Sequence, residues 1–198
     1  MEFSIIVSTL AGVGYCIAYL DYNQRVRSGT TVPNGATWAI WSVVAVISAG
    51  TYFTVTGDFW KSILPILNIL LCIGTFLLAF IAGKFKKLDV TDWLALGLGL
   101  VAALVWVVYK SAGYANLIVQ VAIMVGFIPT WRAVWKRPLC EHPRPWWIWA
   151  ASYSIAIAAL ILRWKNQWID LVFPVNGVVL HASVPILAYA RRKTRPII

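Results

Sequence analysis

Trp60-Lys-Ser-Ile-Leu-Pro-Ile-Leu-Asn68 is an otherwise apolar run that carries one amide, Asn68, and one proline, Pro65. The phrase returns as Trp168-Ile-Asp-Leu-Val-Phe-Pro-Val-Asn176. In each copy a Trp leads an Asn by eight residues, with a Pro just before the Asn, and the copies lie 108 residues apart (168 − 60 and 176 − 68). The same offset carries Trp38-Ala-Ile-Trp41 onto Trp146-Trp-Ile-Trp149. Four residues held in register without a gap point to an internal duplication. Chance matching in an apolar, Trp-rich chain is the competing reading.

Composition sets the class around this repeat. The chain has 198 residues, of which 61% are hydrophobic and 12% charged, and a mean hydropathy of +0.76. Soluble domains carry about a quarter charged residues, so this composition reads as an all-α integral membrane protein. The net charge of +10 comes from short basic runs between apolar stretches. That is the pattern of charged membrane loops, not of a nucleic-acid partner. Cys16, Cys72 and Cys140 show no metal or redox spacing and read as packing residues. The sequence offers no nucleophile–base pair, HExxH or phosphate-binding loop, so neither an enzyme, a metal nor a cofactor is expected.

Seven apolar runs follow in order: 3–20, 36–56, 59–82, 93–109, 114–131, 146–162 and 167–190. Each has enough residues to cross about 30 Å of hydrocarbon. A polar loop with Arg25 and Arg27 follows the first run, and a second one with Lys136 and Arg137 follows the fifth. Tight turns follow the second run at Gly57-Asp58 and the sixth at 163–166. The plan is three spans, one linker, three spans (3+1+3), two parallel three-helix bundles, since an odd linker keeps the two triplets in one orientation. The boundaries are 1–83 for the first bundle, 84–112 for the linker helix and 113–198 for the second bundle with its basic tail. With the N-terminus outside, 13 Lys and Arg fall on the inner side and 4 on the outer. The positive-inside rule therefore predicts an extracytoplasmic N-terminus and a cytoplasmic C-terminus.

This plan resembles the SWEET sugar transporters and their PQ-loop relatives over nearly the whole chain. The stretch from Gly57-Asp58 through Pro65, Asn68 and Gly74 is similar to that family's turn and third helix. Met124-Val-Gly-Phe-Ile-Pro-Thr-Trp-Arg-Ala-Val-Trp-Lys136 is similar to a PQ-loop helix end, with Pro129-Thr130 where that motif has Pro-Gln. In the first triplet Asp21-Tyr22 stands at the equivalent place. The WxxW pairs resemble those of the bacterial nicotinamide riboside transporters, and the KDEL receptors share the seven-helix plan. The resemblance implies a carrier of a small polar solute, a sugar or a nucleoside. A non-transporting receptor on the same fold is the alternative, and fold alone does not decide between them. The expected partners are the solute and the lipid bilayer, and the sequence leaves a homo-oligomer open.

An amide within hydrocarbon is costly unless paired, so Asn68 and Asn176 are the first candidates for solute binding. The repeat would aim them at each other at mid-depth, where each offers two donors and an acceptor. The resemblance implies the same pair flanking the substrate; the competing reading is that each Asn ties its helix to a neighbour or satisfies carbonyls freed by Pro65 and Pro174. The resemblance also implies an aromatic stacking group at Tyr52, with Ser48 one helical turn away on the same face; the competing reading is a Tyr52 hydroxyl bonded across helices. Their second-half counterparts are Leu160 and Ala156, which makes the expected pocket asymmetric. Trp41 and Trp149 are candidates for an inner gate or a stacking platform, against a plain aromatic belt. Pro65 and Pro174, with Pro129 near the end of the fifth span, are expected as kinks and hinges. His181 lies about 140° around the helix from Asn176 and reads as a packing residue rather than a proton relay. With Asp58, Asp89, Asp92 and Asp170 at span ends, facilitated diffusion is favoured over ion coupling.

Overall fold

The computed structural model describes residues 2–82 and 87–194. Of the basic residues used above to orient the chain, Lys84, Lys86 and Arg195 lie outside these described residues. Seven helices run through them: α1 (Glu2–Arg27), α2 (Gly35–Thr56), α3 (Ile63–Ile81), α4 (Val90–Tyr109), α5 (Ala112–Lys136), α6 (Pro143–Leu162) and α7 (Ile169–Thr194). All seven are long and apolar enough to cross a membrane. The burial pattern is that of a bilayer protein. On α1 the large apolar side chains Phe3, Ile6, Leu10, Val13, Ile17 and Leu20 face outward. The inward face carries Ser4, Ser8, Ala11, Gly12, Ala18 and three tyrosines. Lipid tails solvate Leu and Ile as well as a protein interior does, so close packing falls to small residues and polar contacts.

Several ends differ from the sequence reading for local reasons. The α1 helix runs seven residues beyond the expected end, because Tyr22 and Val26 are buried and Asp21 pairs with Arg25 one turn on at 3.1 Å. The α6 helix begins at Pro143 rather than Trp146; proline is tolerated in a first turn, and the His142 ring nitrogen accepts the Arg144 N–H. The α3 helix begins at Ile63 rather than Phe59. There the Asp58 carboxylate accepts the N–H groups of Trp60 and Lys61 and holds them in a turn. Pro65 therefore sits in the first turn of α3, where no helical hydrogen bond is lost. Pro65 thus stands at the start of α3 rather than mid-helix, while Pro174 and Pro129 lie inside α7 and α5.

Packing is selective. α3 lies between α1 and α2, and α7 lies between α5 and α6. Across these groups α1 packs on α6 and α2 on α5, while α4 rests outside against α5 and α2. The N-terminus and the α2–α3 and α6–α7 connections meet on one face, where Arg163 reaches both Ser4 and Asp58. The α1–α2 and α5–α6 connections meet on the opposite face, joined by the bond from the Val32 N–H to the Cys140 carbonyl.

Candidate functional site: an aromatic cage below a charged vestibule

The two WxxW pairs converge at the centre of the helix assembly. Trp38 and Trp41 on α2 have ring centroids 5.0 Å apart, and Trp146 and Trp149 on α6 are 5.2 Å apart. Tyr19 on α1 packs edge-on to Trp149 at 4.9 Å, and Phe127 on α5 packs on Trp41 at 4.8 Å. Tyr19 also lies 5.9 Å from Trp38, and Phe127 lies 6.0 Å from Trp146. Each contact maps onto its twin when positions 108 apart are exchanged (19 with 127, 38 with 146, 41 with 149). Tyr15, Tyr153, Phe173 and His181 complete a cage whose free volume is only about 50 Å³. Tilted and edge-on ring pairs at these separations are the favourable ones.

One polar centre sits in this cage. The Asn68 carbonyl oxygen accepts from the Tyr15 hydroxyl at 2.8 Å, the Tyr19 hydroxyl at 2.6 Å and the Cys72 thiol at 3.3 Å. Tyr15 and Tyr153 join hydroxyls at 3.1 Å. His181 is fixed by the 2.8 Å contact of its Nδ1 with the Gly177 carbonyl and lies 5.3–5.7 Å from Phe127, Trp146 and Trp149.

Below the cage, towards the face of the α1–α2 and α5–α6 connections, opens a vestibule of about 400 Å³. Trp38, Trp41 and Trp146 line both spaces and form the wall between them. The vestibule carries Lys87, Arg132, Lys136 and Arg137 against Asp89, Asp92 and Glu141, and Pro129 lines it too. Glu141 is 6% exposed. Its oxygens accept from the Tyr22 hydroxyl at 3.4 Å and the Trp146 indole N–H at 3.2 Å. Burial pushes its carboxyl up to about 8.

The other end is closed. Lys61, before α3, meets Asp170 on α7 at 2.6 Å, with both side chains fully buried. Arg163, after α6, meets Asp58, after α2, at 2.7 Å. Burial works to raise the Asp58 carboxyl, but the bonds from Arg163 and from backbone N–H groups hold it below its usual range. The Tyr52 hydroxyl donates to the Asp170 carbonyl at 2.7 Å. That carbonyl lies four residues before Pro174, which has no N–H to offer it, so Tyr52 satisfies the acceptor the proline leaves open.

The expected residues divide accordingly. Asn68, Trp41 and Trp149 line the cage. Tyr52 belongs to the closed end and packs on the cage residue Phe173, at 5.0 Å. Ser48 is buried away from the lining. Asn176 does not face Asn68: its amide donates to the Gln120 side chain at 3.0 Å and the Gln120 carbonyl at 3.3 Å. The residues at positions 108 apart differ here. The counterpart of Gln120 is Gly12 (120 − 108), which cannot hold Asn68, so Asn68 turns to the tyrosines. Sequence reasoning passed over Tyr15, Tyr19 and Tyr22, although their spacing places them on one helix face. The sequence reads His181 as a packing residue and gives no cue to Glu141. Among the described residues no group of three His, Cys, Asp or Glu side chains could hold a metal ion. In comparisons with known proteins, the chain matches no family model, no curated protein and no solved structure.

Proposed function

We propose that the chain is a facilitative carrier of a small polar solute, a sugar or a nucleoside, working by alternating access between two three-helix bundles. The observation that carries this reading is a one-ended pathway. A vestibule of about 400 Å³ leads to an aromatic cage between the helix groups, and ion pairs close the far end. A cavity of that size suits a small ligand. The 3+1+3 plan of the SWEET and PQ-loop type is supported by the packing order. Exchanging α1, α2, α3 with α5, α6, α7 leaves every contact among these six helices in place except the minor one between α2 and α7. The paired ring contacts at an offset of 108 support it too. On this reading Trp41, Trp149 and Asn68 touch the solute, and Asn176 sets the position of α7 against α5.

Uptake by purified protein in liposomes, over a panel of sugars and nucleosides, tests the proposal. Uptake of at least one solute, reduced in Trp41→Ala and Trp149→Ala, is the expected result. The basic residues of the vestibule support a cytoplasmic C-terminus, and a C-terminal reporter active only outside the cytoplasm would refute that orientation. A second reading, a receptor that binds without transporting, draws on the small free volume of the cage. It predicts ligand-induced thermal stabilisation with no uptake of the same ligand.

A further inference from the structure

A carboxyl group withdrawn from water normally meets a cation, as Asp170 meets Lys61 and Asp58 meets Arg163. Glu141 does not. Among the described residues no Lys, Arg or His nitrogen lies within ion-pair distance of it, and its partners are the neutral Tyr22 hydroxyl and Trp146 indole. The charged groups around it are all more distant. Lys87, Asp89 and Asp92 stand across the vestibule at the start of α4, and Arg132, Lys136 and Arg137 stand on the α5 side. His142 is the next residue, and its nearest charges are Arg25, Asp21, Arg144 and Arg192. An ionised carboxylate in such a place carries a large desolvation penalty, which the group avoids by remaining protonated.

The location gives this proton a role. Trp38 donates its indole N–H to the Tyr22 oxygen at 3.3 Å. Tyr22 and Trp146 both donate to Glu141. One carboxyl thus links Trp38 of one WxxW pair to Trp146 of the other, across the wall between vestibule and cage. We propose that Glu141 is a proton-binding site that ties closure of the aromatic cage to protonation from the vestibule. The proton stays while the carboxyl is buried under the indoles. It leaves to vestibule water when the α5–α6 connection lifts, because only then is the anion hydrated. The proposal goes beyond a simple uniporter, and rests on the carrier reading only in making the vestibule the side of release.

Infrared difference spectroscopy of the full chain in lipid, across a pH titration, reads the site without any solute. The expected result is a protonated-carboxyl band at neutral pH that titrates with a midpoint near 8 and is missing in Glu141→Gln. Trp146→Phe removes an N–H that favours the anion, so the midpoint should move up, and Tyr22→Phe should act the same way should the first variant not fold. Absence of the band at neutral pH, or its persistence in Glu141→Gln, overturns the site. A midpoint unmoved in both aromatic variants overturns the tie to the cage. Failure to find a transported solute would sink the carrier reading and leave the infrared result standing.

Discussion

Single side chains carry the clearest tests. Asn68 accepts three donors at once, so Asn68→Leu leaves the Tyr15 hydroxyl to Tyr153 and the Tyr19 hydroxyl to the Cys72 thiol. Each hydrogen bond lost costs about 0.5–1.5 kcal/mol, and the melting temperature should fall accordingly, together with any uptake. Asn176 answers to Gln120 alone, and a double-mutant cycle of Asn176→Ala with Gln120→Ala should return a coupling of about 0.5–3 kcal/mol. Additive effects would mean that the bond contributes nothing. Glu141 has its own signature. Its folded carboxyl holds a proton up to about 8, against an ordinary 4.5. Between those values the folded state binds a proton that the unfolded state has lost, so stability falls as pH rises through the window and levels off above it. Asp58, held low, works in the opposite window and costs stability only in acid. Melting curves between about pH 5 and pH 8 should therefore slope downward, and Glu141→Gln should flatten them.

At the scale of elements, α7 begins with an open carbonyl that another helix satisfies. Pro174 leaves the Asp170 carbonyl open, and Tyr52 from α2 fills it, while the carboxylate of Asp170 anchors Lys61. Tyr52→Phe should cost about 1–3 kcal/mol through the unpaired carbonyl, and Leu at the same position no less. Lys61→Met leaves a buried anion and should cost about 3–5 kcal/mol, most of it regained when Asp170→Leu is added. Thermal denaturation of the single and double variants decides this, and an additive double variant would rule out the buried pair. The existence of seven apolar helices was legible in the sequence, because hydropathy runs and basic loops are local signals. The WxxW register was legible as well, since both pairs kept all four indoles. The cage was only half legible. Tyr15, Tyr19 and Tyr22 share a helix face, but their second-half counterparts are Ile123, Phe127 and Thr130, so the repeat gives no cue. Asn176 misled for the converse reason: the repeat kept the residue while Gln120 replaced its environment. Glu141 sits in a Pro-rich connection that reads as exposed from sequence, and only tertiary closure under Trp146 buries it.

For the whole molecule, the closed face ties the segment after α2 to that after α6 and the segment before α3 to α7. On the proposed carrier reading, movement between two access states has to break Asp58–Arg163 and Lys61–Asp170 together. Cysteines at 58 and 163, in a chain with Cys16, Cys72 and Cys140 replaced, should cross-link on oxidation and stop uptake reversibly while solute binding from the vestibule side survives. Uptake undiminished by the cross-link would end the alternating-access reading. The four cage indoles have a further consequence. Trp38 lies 5.0 Å from Trp41 and 6.5 Å from Trp149, and Trp146 lies 5.2 Å from Trp149. Chromophores this close, held at fixed mutual tilts, do not absorb independently; their strong transition dipoles mix and give paired bands of opposite sign in the far-ultraviolet circular dichroism of the indoles. The protein thus carries its own optical strain gauge at the point where the two helix groups meet. Any rearrangement of the cage will be written in the amplitude of that couplet without a label attached.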